Sequence, residues 1–327
     1  MKKIQELIKE RILVVDGAMG TMIQKHGLTE EQYRGERFKD YSHPVKGNND
    51  LLSITQPQII EEIHNQFLSA GADIIETNTF NSNSISMEDY HMSDLVEELN
   101  RESVKIARGC AEKWSTEDKP RFVAGSIGPT NKTLSLSPDV NNPGFRSVSF
   151  EDLRRCYYQQ AKVMIEEGVD LLLIETVFDT LNCKAALFAV SELKEESGSD
   201  VPVMVSGTIT DASGRTLSGQ TVESFWISIS HSDLLSVGLN CALGASQMRP
   251  YIEELSRVSD SYISCYPNAG LPNEFGEYDD TPENMASILE SWGREGFLNI
   301  VGGCCGTTPA HIEEISKRIS GIPPRKL

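Results

Sequence analysis

Short apolar runs alternate along the chain with longer segments in which apolar residues recur every three or four positions. Eight of the runs have the length and composition of strands, and they lie at residues 12–16, 73–79, 121–127, 169–176, 201–208, 237–241, 262–266 and 298–303. The run through Leu171, Leu172 and Leu173 is apolar at successive positions, which is typical of parallel strands covered on both faces. The alternation therefore predicts eight β/α units.

The segments between the runs carry helix signals. Predicted helices begin at Pro57, at a capping box formed by Ser149 and Asp152, and at Pro309, because proline and the box both suit the first helical turn. No G-x-G-x-x-G phosphate loop follows the first run, which disfavours an open doubly wound sheet. Eight units in 327 residues predict an α/β fold, a (β/α)8 TIM barrel over residues 1–321. Residues 322–327 are expected to begin a linker to further modules.

Three cysteines lie where strands are predicted to end. Cys241 ends the sixth run, and Cys304 and Cys305 follow the eighth within the sequence GGCCG. The C-terminal strand ends of a TIM barrel form its active site, and the glycines offer the backbone freedom that would turn both adjacent thiols toward one point. Three thiolates with an open fourth position make the catalytic type of zinc site. The adjacent cysteines also fit a strained vicinal disulfide without metal, or small buried core residues.

Two carboxyl groups, of Asp16 and Glu175, end the first and fourth runs. Each fits a cap for the following turn, or the two could hold an ammonium group in a pocket opposite a metal. The connections at 21–55 and 129–148 are much longer than ordinary βα loops. Both are expected to cover a site at this end of the barrel, and the connection at 129–148 could instead be a tolerated surface insertion.

Composition narrows the class of protein. A net charge of −18 disfavours nucleic acid and anionic membrane surfaces as partners, and no apolar run approaches the roughly 20 residues that span a bilayer. The charged N-terminal segment is typical of an amphipathic helix, not of a secretory signal. Seven cysteines in such a chain indicate a reducing, cytoplasmic location in which thiols are available for metal.

Several short motifs together resemble the zinc-dependent homocysteine S-methyltransferases. They are DGAMGT at 16–21, ETNTF at 76–80, GPT at 128–130, GLNC at 238–241, PNAG at 267–270 and GGCCG at 302–306. Three further motifs resemble, more narrowly, the N-terminal homocysteine module of cobalamin-dependent methionine synthases. These are GERF at 35–38, GNNDL at 47–51 and SPDVN at 137–141.

The resemblance implies roles for individual residues. Cys241, Cys304 and Cys305 would be the catalytic residues that hold Zn²⁺, with Asn268 as the fourth ligand when substrate is absent. The residues that would line the pocket for the amino acid end of homocysteine are Asp16, Gly17, Ala18, Met19, Thr77, Asn78 and Glu175.

The resemblance also implies a reaction, in which the zinc-bound thiolate of homocysteine attacks the methyl group of methylcobalamin and yields methionine. Cobalamin-bearing and folate modules of a longer protein would be the partners, since no segment of this chain is left for them once eight units are counted. Two alternatives stay open at this point. One is a cobalamin-independent methyltransferase that uses S-methylmethionine or a betaine-like donor, and the other is a non-catalytic module that binds zinc and a thiol.

Overall fold

The computed structural model describes residues 2–210, 213–274, 276 and 278–327. Eight parallel strands of these residues form one sheet in the order β1-β8-β7-β6-β5-β4-β3-β2. They are β1 Leu13–Val14, β2 Ile74–Glu76, β3 Phe122–Ile127, β4 Leu171–Val177, β5 Val203–Gly207, β6 Ser236–Gly244, β7 Tyr262–Asn268 and β8 Ile300–Val301. Each predicted run therefore overlaps one strand, and β4, β6 and β7 extend beyond their runs.

The two ends of the sheet meet between β1 and β2. Val15 forms a parallel bridge with Ile74. The amide of Asp73 donates to the carbonyl of Val14 at 2.7 Å, and the amide of Asp16 donates to the carbonyl of Ile74 at 3.0 Å. The sheet is thus a nearly closed barrel, and the predicted TIM-barrel fold is confirmed.

Helices lie between the strands and cover the outside of the barrel. In the described residues they are α1 Ile4–Leu7, α2 Met19–Lys25, α3 Glu30–Arg34, α4 Leu52–Thr55, α5 Pro57–Ser69, α6 Ser84–Met87, α7 Val96–Trp114, α8 Phe150–Glu166, α9 Thr180–Ser197, α10 Val222–Ile229, α11 Ala245–Val258, α12 Pro282–Arg294 and α13 Pro309–Ile319. The predicted starts at Pro57 and Pro309 are confirmed, and Ser149 and Asp152 form the predicted capping box. No helix in the described part of the chain is both long enough and apolar enough to cross a bilayer.

The apolar core has two layers because successive side chains of a strand face opposite sides. Leu171 and Leu173 belong to the cluster inside the barrel, whereas Leu172 packs in the cluster between strands and helices. Ile4 and Leu7 of α1 join the inner cluster. Since α1 precedes β1, it closes the N-terminal end of the barrel and leaves the C-terminal end for the site.

The long connection after β1 contains α2, α3 and α4, whereas residues 128–149 after β3 contain no helix or strand. The C-terminal tail lies against the barrel, where the guanidinium of Arg325 donates to the carbonyls of Ser256, Ser259 and Ser261. That residues 322–327 begin a linker stays a prediction.

Candidate active site

Three thiols meet at the C-terminal end of the barrel. Cys241 lies on β6, and Cys304 and Cys305 lie in the turn after β8. The sulfurs of Cys241 and Cys305 are 3.7 Å apart, and all three sulfurs lie within 4.8 Å of one another. A tetrahedral zinc ion with Zn–S bonds of about 2.3 Å holds its sulfurs about 3.8 Å apart, so the cluster fits this metal.

The thiols are available as ligands. The seven cysteines, all within the described residues, are free, so Cys304 and Cys305 form no vicinal disulfide. Side-chain hydrogen bonds from Cys241 and Cys304 lower the pKa of Cys305, whereas the pKa values of Cys241 and Cys304 themselves are raised, so without a cation one thiolate is shared among the three sulfurs. A thiolate is the form of cysteine that binds metal.

Cys241 reaches the cluster through an irregularity in β6. The sixth predicted run ends at Cys241, but β6 continues to Gly244, with a shift in its register to β7 between Asn240 and Gly244. Cys241 and Ala242 have φ angles of +61° and +58°. Non-glycine residues rarely adopt this left-handed conformation, which costs of order 1–3 kcal/mol each and is concentrated at functional sites.

The glycines around Cys304 and Cys305 act differently from one another. We expected backbone freedom from all of them, but only Gly306 has a positive φ, +81°. A Cβ atom there would also collide with the ring of Tyr278. At position 303 a larger residue does not fit, because a Cβ atom added to Gly303 would lie 2.5 Å from Thr307 Cγ2.

A cavity of about 450 Å³ connects the thiols with most of the other predicted site residues. A cavity of about 580 Å³ lies on the flank of the barrel beside α9 and is lined by none of them. The predicted residues that line the smaller cavity are Asp16, Gly17, Ala18, Met19, Thr77, Asn78, Glu175, Cys241, Cys304 and Cys305.

Three carboxyl groups form a cluster in the wall of this cavity. Glu76 shares a hydrogen bond with Glu175, its amide donates to Asp16 Oδ2 at 3.2 Å, and the Ser126 hydroxyl donates to Glu175 Oε1. Burial raises the pKa of Glu175 to about 7. Burial and the charge of Glu175 raise the pKa values of Asp16 and Glu76 well above their usual range. Among the described residues, no Lys or Arg lines this cavity, so the cluster has no cation there to lower these pKa values.

Thr77 and Asn78 line the cavity but use their side chains within the protein. The Thr77 hydroxyl accepts from the amide of Ser126 at 3.0 Å. Asn78 Nδ2 donates to the carbonyl of Asn49 at 2.8 Å and to Ser53 Oγ at 3.1 Å. These contacts fix the segment after β2 to its neighbours.

Asn268 ends β7 and does not line the cavity. Its neighbours are hydrogen-bonded to the cysteine turn, since the amide of Cys304 donates to Pro267 O at 2.8 Å and that of Ala269 to Cys305 O at 2.9 Å. Asn268 is 2% exposed, and its Oδ1 is buried without a hydrogen-bond partner. A buried oxygen without a hydrogen-bond partner, next to the cysteine turn, fits the role of a metal ligand.

Four residues that we did not assign from the sequence belong to the site: Glu76, Asn240, Tyr266 and Tyr278. Tyr266 and Tyr278 line the cavity. Asn240 Nδ2 approaches Cys304 Sγ at 3.9 Å. Glu76 and Asn240 lie in the motifs at 76–80 and 238–241, and β2 ends at Glu76, where a carboxyl group faces the same region as Asp16 and Glu175.

The fold is a TIM barrel, and three thiols at its C-terminal end lie close enough together to hold a metal ion. Residues 13–319 match the family model of homocysteine S-methyltransferase. The match extends over most of the chain, so the chain belongs to the homocysteine S-methyltransferase family, and the predicted family is confirmed at this level.

Solved structures support the same fold. The metallated form of the homocysteine methyltransferase MmuM from Escherichia coli superposes with a TM-score of 0.74 at 22% identity, over 96% of this chain and 98% of that one. The oxidized form of MmuM gives a TM-score of 0.74 at 20% identity, over 95% and 97% of the two chains. At these identities, the similarity shows the shared barrel.

Proposed function

We propose that this chain is a zinc-dependent homocysteine S-methyltransferase that accepts its methyl group from methylcobalamin and releases methionine. The observation that carries the proposal is the pairing, in one cavity, of a three-thiol cluster with a carboxyl cluster. The two clusters match the two ends of homocysteine, which carries a thiol at one end and an ammonium group at the other.

Cys241, Cys304 and Cys305 would hold Zn²⁺, with Asn268 Oδ1 as the fourth ligand before substrate binds. When bound there, zinc would lower the pKa of the substrate thiol, which is ordinarily near 8.5, and so would favour the thiolate at neutral pH. A substrate thiolate would attack the methyl carbon of methylcobalamin, so that the S–C bond of methionine forms as the Co–C bond breaks and cob(I)alamin leaves with the electron pair. The described residues therefore need no separate general base for this step.

Glu175, Asp16 and Glu76 would receive the ammonium group of homocysteine. Their raised pKa values are the consequence of burial without a cation, and an ammonium group would return them toward the ionised form. The neighbouring backbone is held in place, because the amide of Ala18 donates to Thr307 Oγ1 at 3.2 Å. The cluster thus orients the substrate with its thiol toward the cysteines.

A donor carried on another protein module fits the rim of the cavity. The loops after β3, β5 and β7, which follow the C-terminal ends of these strands, expose apolar side chains, among them Val140 at 92%, Leu217 at 49% and Leu271 at 49%. In this proposal, these groups at the C-terminal end of the barrel would contact the module that carries the donor. For methylcobalamin itself, the support is the resemblance of the motifs at 35–38, 47–51 and 137–141 to methionine synthases.

The test is methyl transfer to homocysteine by the zinc-loaded chain, with free methylcobalamin, S-methylmethionine, betaine or methyltetrahydrofolate as donor. We expect slow methionine formation from methylcobalamin alone, at a rate that rises with its concentration, because the barrel would supply the nucleophile whereas a free donor is not held in position beside it. The Cys305→Ala variant is the inactive control.

Two outcomes would overturn the proposed donor. Turnover with S-methylmethionine or betaine and none with methylcobalamin would assign the chain to the cobalamin-independent methyltransferases. Binding of zinc and homocysteine with no transfer from any donor would make the chain a non-catalytic thiol-binding module.

A further inference from the structure

Two strands that carry opposite ends of the candidate site are irregular at the same level of the barrel. In β4 the register to β5 shifts between Ile174 and Val177, and Thr176, next to Glu175, has a φ of +55°. In β6 the register to β7 shifts between Asn240 and Gly244. Neither β-branched Thr176 nor Cys241 favours a positive φ, so contacts elsewhere must hold both bulges.

The side chain of Asn240 joins these bulges. Its Oδ1 accepts from the amide of Thr176 at 3.0 Å, and its Nδ2 donates to Thr176 Oγ1 at 2.9 Å. The same Nδ2 approaches Cys304 Sγ at 3.9 Å. The backbone carbonyl of Asn240 accepts from Thr208 Oγ1 at 3.0 Å, so this residue links β4, β5, β6 and the cysteine turn.

The orientation of the Asn240 amide is fixed by its partners. Rotation of the amide by half a turn would place its NH₂ group against the N–H of Thr176, which is also a donor. The observed orientation therefore keeps an N–H directed at Cys304 Sγ. Asn240 is fully buried, and in such an environment a hydrogen bond has more effect than in water.

We propose that Asn240 is a positioning residue that ties the carboxyl end of the site to its thiol end, so that metal binding at the cysteines strengthens binding of the amino acid end of the substrate. This inference rests on the proposed function. The bulge at Thr176 sets the position of Glu175, and the bulge after Asn240 sets that of Cys241. A metal that orders one bulge would order the other through Asn240, and the coupling is reciprocal.

The probe for this coupling is 2-aminobutyrate, which is homocysteine without its thiol and so has no sulfur to bind the metal. We would measure its dissociation constant by calorimetry in the zinc-loaded and the metal-free chain under reducing conditions. For the wild type, we expect zinc to strengthen binding by about fivefold or more, the lower range of typical coupling between sites.

Asn240→Ala should bring this ratio close to one, because both bulges lose their shared partner. Thr176→Val keeps the amide but lacks the hydroxyl group that accepts from Asn240, and should lower the ratio in part. Asn100→Ala is the matched control. Asn100 is also a fully buried amide, and its Nδ2 donates to Ser82 O and Val96 O at 2.7 Å, outside the cavity. This variant should lose stability yet keep the wild-type ratio.

A second measurement uses Co²⁺ in place of zinc and needs no substrate. Loss of the N–H beside Cys304 Sγ should shift the cobalt–thiolate absorption band in Asn240→Ala and in Asn240→Asp, whereas Asn100→Ala should leave it unchanged. Asn240→Asp keeps the side-chain oxygen that accepts from the amide of Thr176. It therefore provides the measurement if the alanine variant does not fold.

The outcomes separate the two proposals. A wild-type ratio near one, equal ratios in Asn240→Ala and Asn100→Ala, or a cobalt band that both Asn240 variants leave unchanged would overturn the coupling. A wild-type chain that binds neither homocysteine nor 2-aminobutyrate would instead overturn the proposed function, while the cobalt band would still decide whether Asn240 acts on the thiol cluster.

Discussion

Replacement of Glu175 by glutamine should change how the stability of the metal-free protein depends on pH. Glu175 is 4% exposed, and burial raises its pKa from 4.5 to about 7. A carboxyl group whose pKa is raised on folding stabilises the protein fully below its unfolded pKa, and this contribution is lost as pH rises through the folded pKa. Glutamine has no titrating group. The free energy of unfolding of the Glu175→Gln variant should therefore rise relative to that of the wild type between pH 4.5 and 7.

The size of the effect follows from the shift. One pKa unit corresponds to about 1.4 kcal/mol, so a shift from 4.5 to about 7 amounts to about 3 kcal/mol across this window. Urea unfolding of both proteins at intervals from pH 4.5 to 8, with chelator and reductant, would measure the free energy of unfolding. The control is Glu195→Gln, at an exposed position of α9. A difference between Glu175→Gln and the wild type that stays constant with pH, within about 0.5 kcal/mol, would refute the burial argument.

Three further changes are expected. Glu175→Gln should raise the KM for homocysteine by about tenfold or more and leave kcat nearly unchanged, because an ion pair with the ammonium group acts equally in ground and transition states. Steady-state kinetics measure both constants, and a much lower kcat at an unchanged KM would give Glu175 a chemical role instead. Homocysteine binding should release about one proton more than 2-aminobutyrate binding near neutral pH, since only homocysteine brings a protonated thiol that becomes a thiolate. Calorimetry in buffers of different ionisation enthalpy counts these protons, and equal counts for the two ligands would mean that the thiol never meets the metal. Gly306→Ala should lower the free energy of unfolding by about 1–3 kcal/mol in urea titrations, because Gly306 has a φ of +81° and Tyr278 occupies the space that a Cβ atom would need. The control is Gly109→Ala, in a helix where nothing lies within 4 Å of the added Cβ. A loss at Gly306 no larger than the loss at Gly109 would contradict the prediction.

The fold could be predicted because its determinants are periodic. Leu171 to Ile174 are all buried, which requires a strand with apolar neighbours on both faces, and eight such runs separated by helical segments leave few arrangements. The starts of α5, α8 and α13 were predicted from proline and a capping box, whose effect is local. Strand ends were less accurate where a bulge intervenes, as after Cys241.

The position of the site could be predicted as well, because parallel strands all end on the same side of a barrel. That reasoning placed Asp16, Glu175, Cys241 and Cys304 around one cavity, and the structure shows them there. The roles assigned to these residues stay predictions. Their placement follows from topology, whereas their chemistry needs a measurement.

The contacts of Asn240 could not be predicted, because they depend on backbone conformations that its neighbours rarely adopt. Regular alternation would point Asn240 and Cys241 to opposite faces of β6. The positive φ of Cys241 and of Thr176 removes that constraint and brings Asn240 beside both Thr176 and Cys304. In the same way, nothing in the sequence shows that Asn78 uses its amide on Asn49 and Ser53.

The central claim is that Cys241, Cys304 and Cys305 hold zinc and that the thiol of homocysteine joins them. X-ray absorption at the zinc edge, on the purified chain with and without homocysteine, counts the sulfur neighbours of the metal directly. The account predicts one zinc per chain, with three sulfurs and one lighter atom before homocysteine is added and four sulfurs afterwards. A sulfur count that homocysteine leaves unchanged, or stoichiometric zinc in the Cys305→Ala variant, would contradict it.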